Sequence, residues 1–131
     1  MKYQSGYVAL FTVLVAMAVS VLIATGILIR AASESRMLSQ QEFSSYAEAA
    51  ATACAERGLM NLHGSLSYAG NETLQVDSAS CQIGPVGGSG NLNRTIQASS
   101  TINGVTRKIL ISIAAVHPSM SISSWKDVVS F

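Results

Sequence analysis

Charge is scarce in this chain. Asp, Glu, Lys and Arg together make up 11% of its 131 residues, against roughly 25% in an ordinary soluble domain, and none of them falls between Gly6 and Ile29. Proline is nearly absent as well: Pro85 and Pro118 are the only two, so nothing before Pro85 forces a helix to break. Lys and Arg stand singly apart from Arg107-Lys108. A protein that tracks a phosphate backbone needs a basic stripe, so nucleic-acid binding is excluded. Histidine is limited to His63 and His117, in separate elements with no acidic pair beside them. With no nucleophile elbow, phosphate loop or metal-spaced cluster, the chain reads as a non-enzyme with no cofactor, no metal and no small-molecule ligand. Glu34, Glu42, Glu48 and Glu56, with Glu72 further on, are spaced singly and read as solvated or partner-facing rather than as a catalytic pair.

Apolar residues are abundant, at 49% of the chain. Tyr7–Ile29 is a run of 23 residues, mostly Val, Leu, Ala, Ile and Met. As a helix rising about 1.5 Å per residue it covers a hydrocarbon core of roughly 30 Å. A cleaved secretory signal competes with this reading, because Lys2 precedes the run and small residues occur around Ala24-Thr25-Gly26 and Ala31-Ala32-Ser33. Signal peptides carry a shorter apolar region of about 7–15 residues, which favours a membrane helix. Lys2 before the run, against Arg30, Glu34 and Arg36 after it, places the amino terminus inside.

Beyond Arg30 the composition turns polar but stays rich in Ala, Glu, Gln and Leu, so the helix continues to about Leu62. Ala47, Ala50, Ala51, Cys54 and Gly58 recur at spacings of three and four and share one side. A face of small side chains admits close approach of a sheet. From His63 the helical period disappears and short alternating runs begin. Ala79, Cys81 and Ile83 share one face of a strand, and Gly84–Gly90 is an aperiodic turn region. Asn93–Ile102 and Val105–Val116 flank Asn103-Gly104, a strong hairpin signal. Ile96, Ala98 and Ile102 face inward on one strand, and Ile109, Ile111 and Ile113 on the other. Ser119–Trp125 reads as a last strand with Met120 and Ile122 inward, and Trp125 either caps the core or meets a neighbouring surface. The expected fold is α+β: a long N-terminal helix whose second half packs on a small antiparallel sheet of three or four strands.

Cys54 and Cys81 are separated by 27 positions, far from any C-x-x-C spacing. In an exported head a disulfide is the default, and in a reducing compartment the two are small buried hydrophobes. The inward position of both makes the bond reachable. It would add roughly 3 kcal/mol to a small core.

At the amino terminus Lys2 lies in a short polar leader that leads through Ser5-Gly6-Tyr7 into the unbroken apolar helix. This arrangement resembles the class III signal sequence of type IV pilins and type II pseudopilins. Ser35-Arg36-Met37-Leu38-Ser39-Gln40-Gln41, with Phe43, Ala47-Glu48-Ala49-Ala50 and Ala53, is similar to the N-terminal region of PilX-type minor pilins. The resemblance covers roughly residues 1–60. It implies a leader over 1–6, a membrane and filament-core helix over 7–29, an amphipathic continuation over 30–63 and a β-rich head over 64–131. It further implies cleavage by a prepilin peptidase between Gly6 and Tyr7 and N-methylation of Tyr7. Its partners would be inner-membrane lipid and then other pilin or pseudopilin subunits, met through the N-terminal helix. The head would lie outside the cytoplasm of a bacterium.

The chain departs from the family pattern at two positions. Phe11 stands where major pilins carry a glutamate, and Tyr7 where they carry phenylalanine. Without the acid, the ammonium of a neighbouring subunit lacks its partner in the filament core, and an unpaired buried charge costs several kcal/mol. The resemblance therefore implies a minor subunit. Two other readings use the same residues: a single-pass anchored binding or sensory module without leader cleavage, and a secreted small domain with a long signal peptide.

Overall fold

The computed structural model describes residues 4–131. Lys2 and the first half of the expected leader lie outside the described residues. Helix α1 (Gln4–Gly64) is followed by five strands: β1 (Gly70–Val76), β2 (Ala79–Pro85), β3 (Leu92–Ile102), β4 (Val105–Ala115) and β5 (Ser121–Val128). Each strand pairs antiparallel with the next in the order β1-β2-β3-β4-β5. The chain divides into two compact units, Met1–Ser39 and Gln40–Phe131.

Over its described residues, 4–39, the first unit is helix alone. No proline interrupts it, and its Ala, Leu and Met content favours the helix throughout. From Gly6 to Glu42 every residue is exposed.

In the second unit, the helix buries Ala47, Ala50, Ala51, Cys54, Ala55, Gly58, Leu59 and Leu62. Those positions repeat at three and four, as one helical face must. Small residues dominate the face until its last turns. At Gly58 an added Cβ would lie 3.3 Å from Ile96 Cγ2 and 3.6 Å from Ile83 Cγ2. Glycine there lets the helix backbone come down onto the β2 and β3 isoleucines, which outweighs its poor helix propensity. The helix ends at Gly64, and a turn closed by Tyr68 N–H on Ser65 O (3.0 Å) leads toward β1.

The opposite wall of the core is the inner face of β2, β3 and β4: Ala79, Cys81 and Ile83; Ile96, Ala98 and Ile102; Ile109, Ile111 and Ile113. Cross-strand register sets Ile83 beside Ala98, Ala98 beside Ile109 and Ile96 beside Ile111. Each isoleucine buried in this way contributes about 1.5–3 kcal/mol. The Asn103-Gly104 turn joins Ile102 to Val105, and both of its residues have positive φ (47° and 79°), as a type I′ hairpin turn requires.

The sheet departs from the sequence expectation in three places. It has five strands rather than three or four. The additional one, β1, carries only Leu74 and Val76 as apolar residues, with Glu72 on the same inner face, so its alternation is weak. Within the expected Gly84–Gly90 turn region, β2 extends to Pro85 and Gly87 bridges to Thr95. The last strand runs over Ser121–Val128 rather than Ser119–Trp125; Met120, just before it, does pack against the core, but Ile122 is 44% exposed. Register shifts opposite Ser112, Ile113 and Ala115 break the alternation there, and β5 is the sheet edge, beyond the core. Trp125 lies opposite the buried Ile111 yet stays 40% exposed, so it does not cap the core.

Candidate functional site

The feature that demands a functional account is the apolar part of α1. Leu10, Phe11, Leu14, Met17, Leu22, Ile27 and Ile29 are each more than half exposed, and Tyr7 is 73% exposed. Soluble monomers rarely leave contiguous apolar surface on this scale open to water. By length and composition the helix is able to cross a membrane.

Its few polar groups are already occupied. Thr12 Oγ1 donates to Ala9 O (2.8 Å), Ser20 Oγ to Ala16 O (2.7 Å), and Thr25 Oγ1 lies 3.0 Å from both Val21 O and Leu22 O. A hydroxyl bonded to its own helix needs no water, which makes each compatible with a hydrocarbon environment. Gly6 and Tyr7 both lie inside the helix, and a Cβ at Gly6 would meet nothing within 4 Å. The peptide bond expected to be cut is thus on an open surface. Phe11 is also exposed, and the neighbouring Thr12 hydroxyl is turned back onto Ala9.

The head carries the second group of predicted residues. Cys54 on α1 and Cys81 on β2 form a disulfide, with Cα atoms 6.1 Å apart and both side chains fully buried. It ties the helix to the sheet at the middle of the core.

Three further ties, two from the helix and one from the turn that follows it, leave no plain signal in the sequence. Tyr46 donates its phenolic proton to the Asp77 carboxylate in the β1–β2 turn. That bond, first of all, holds the Tyr46 pKa above its ordinary value. Arg107 Nε donates to Ser44 Oγ at 3.0 Å. Arg94 is the third and the most buried, at 4% exposure. Its Nε donates to Gly87 O (3.0 Å) and its Nη1 to Leu66 O and Gly90 O (2.9 Å each). The guanidinium gathers the turn after α1 and the β2–β3 loop around one fork of donors. A signal for Arg94 does exist in the sequence: it shares its parity with Ile96, Ala98, Ser100 and Ile102, and therefore the inner face of β3.

The two histidines, read as belonging to separate elements, are brought together. Their ring centroids are 4.8 Å apart with planes tilted by 51°. Of the acidic residues, Glu34, Glu42, Glu48 and Glu56 are exposed, whereas Glu72 is half-buried and accepts from Asn61 Nδ2 at 3.5 Å. Among the described residues no three of His, Cys, Asp and Glu gather as a metal cluster. No protein-family model, curated protein or solved structure matches this chain.

Proposed function

We propose that this chain is a minor pilin or pseudopilin, a structural subunit of a type IV pilus or a type II secretion-like filament. The observation that carries the reading is the charge-free run Tyr7–Ile29, exposed along its whole length and with its hydroxyls satisfied internally. Such a helix needs either lipid or other apolar helices around it. A pilin uses both in turn, first in the inner membrane and then in a filament core.

Support also comes from the continuity of the element. The same helix that begins at Gln4 supplies one wall of the head's core up to Leu62. A detachable signal peptide has no reason to be continuous with a core helix. The fully buried disulfide suits an oxidising compartment outside the cytoplasm.

On this reading prepilin peptidase cuts after Gly6, and Tyr7 becomes the methylated amino terminus. Phe11 and the self-bonded Thr12 offer no acid to a neighbour's ammonium, which favours a minor place in the filament.

Co-expression of the full chain with a prepilin peptidase, in a host without one, tests this. The wild-type chain is expected to shorten by its first six residues only when the peptidase is present. Gly6→Val, which puts a branched side chain at the cut, is expected to stay full length. Equal chain lengths with and without the peptidase would instead favour the single-pass anchored module.

A further inference from the structure

We propose that His63 and His117 form a two-imidazole chelating site for a divalent transition metal of the Zn2+, Ni2+ or Cu2+ class. Imidazole nitrogens bind such ions at about 2.0–2.1 Å, which sets each ring centre roughly 3.2 Å from the metal. At ligand angles between square and tetrahedral, two ring centres then lie about 4.5–5.2 Å apart. The separation in the structure, 4.8 Å, falls inside that window, and the 51° tilt keeps the rings from a flat stack that would face the nitrogens apart. Each ring offers two nitrogens, and a flip about χ2 swaps Nδ1 with Cδ2 and Nε2 with Cε1, so each ring has four places in which to present a nitrogen without backbone movement.

The backbones of both histidines are held in place by the fold. His63 occupies the last turn of α1, next to the fully buried Leu62. His117 follows β4, and its backbone is gripped from both sides by one side chain: its N–H donates to Asn91 Oδ1 (2.7 Å) and its carbonyl accepts from Asn91 Nδ2 (2.9 Å). Ligands already held in place lose little freedom on binding, which is what makes two of them act as a chelate. His63 is exposed, so the ion has a path in and water can complete its coordination. With two protein ligands, binding is modest and exchangeable rather than structural. A bound ion would join the end of the helix to the β4–β5 connection.

The test is titration of the untagged full chain, in detergent micelles, with Zn2+ against a competing indicator and with Cu2+ followed by electron paramagnetic resonance. One equivalent is expected per chain, with nitrogen couplings from two imidazoles. His63→Ala and His117→Ala are each expected to weaken binding at least tenfold and leave one imidazole coupling. The double variant should weaken it little beyond either single one, because a chelate is lost with its first ligand. Saturating Zn2+ should raise the melting temperature of the wild type alone. His63 is exposed at the helix end, so His63→Ala tests the site even where His117→Ala perturbs folding. Binding by both single variants within twofold of wild type, or no saturable binding by wild type, would overturn the site.

Discussion

Cys54 on the helix and Cys81 on β2 lie 6.1 Å apart Cα to Cα, both fully buried, and their bond closes the chain between them into a loop that holds the helix against the sheet. The double variant Cys54→Ala/Cys81→Ala should be less stable by roughly 3 kcal/mol, the entropy that the crosslink removes from the unfolded chain. Equilibrium denaturation of the full chain with and without reductant measures it. Reductant should lower the wild-type midpoint and leave that of the double variant unchanged.

Arg94 carries a larger share of the loop architecture than its place in a Ser- and Asn-rich segment suggests. Arg94→Met keeps the bulk but removes the donors to Leu66 O, Gly87 O and Gly90 O, of which Gly87 O keeps a second donor, the Thr95 N–H at 3.2 Å. Leu66 and Gly87 are half-buried and Gly90 is exposed, so water replaces part of what is lost, and a cost of about 1–3 kcal/mol is expected in the same denaturation experiment. Arg94→Lys should recover only part of it, because a single ammonium does not reproduce the planar fork.

Alkaline pH should loosen the head through its two buttressing tyrosines. Burial, first of all, raises the pKa of Tyr68, and the hydrogen bond to Asp77 raises that of Tyr46, both above 10.0. Tyrosine is neutral when protonated, so a raised folded-state value means that the folded head prefers the neutral form. Its contribution is present in full below about pH 10, the unfolded value, and is lost as pH rises through the higher folded values. Melting temperatures taken between pH 8 and pH 11 should fall at the upper end, and less steeply in Tyr46→Phe and Tyr68→Phe. A flat profile in the wild type would contradict the assignment.

A chain starting at Gln40 should fold and remain soluble. Every buried residue of both core clusters lies at or after Ala47, and the disulfide lies within the same segment. Size-exclusion chromatography and circular dichroism are expected to show a monomer with a cooperative melt, whereas the full chain should require detergent.

Much of this fold could be read before the structure because two periodicities coincide with burial. The small-residue positions Ala47 to Gly58 are one helical face, and Ile109, Ile111 and Ile113 are one strand face, so local pattern and tertiary position agree. β1 escaped because Glu72 occupies an inner position that the pattern reserves for an apolar residue; the nearby Asn61 makes it tolerable. Ile122 lies outward because the register shifts along β4 and β5 are set by pairing, which no single strand reveals. The meeting of His63 with His117, and of Tyr46 with Asp77, depends on where distant elements dock. Neither leaves a local trace in the sequence.

Processing of the apolar helix as part of a filament subunit is best tested by intact-mass spectrometry of the protein extracted from the membranes of its own host. The expected result is a chain beginning at Tyr7, heavier by about 14 Da from one methyl group. A chain still beginning at Met1, or one beginning near Ala32 or Ser33, would contradict it.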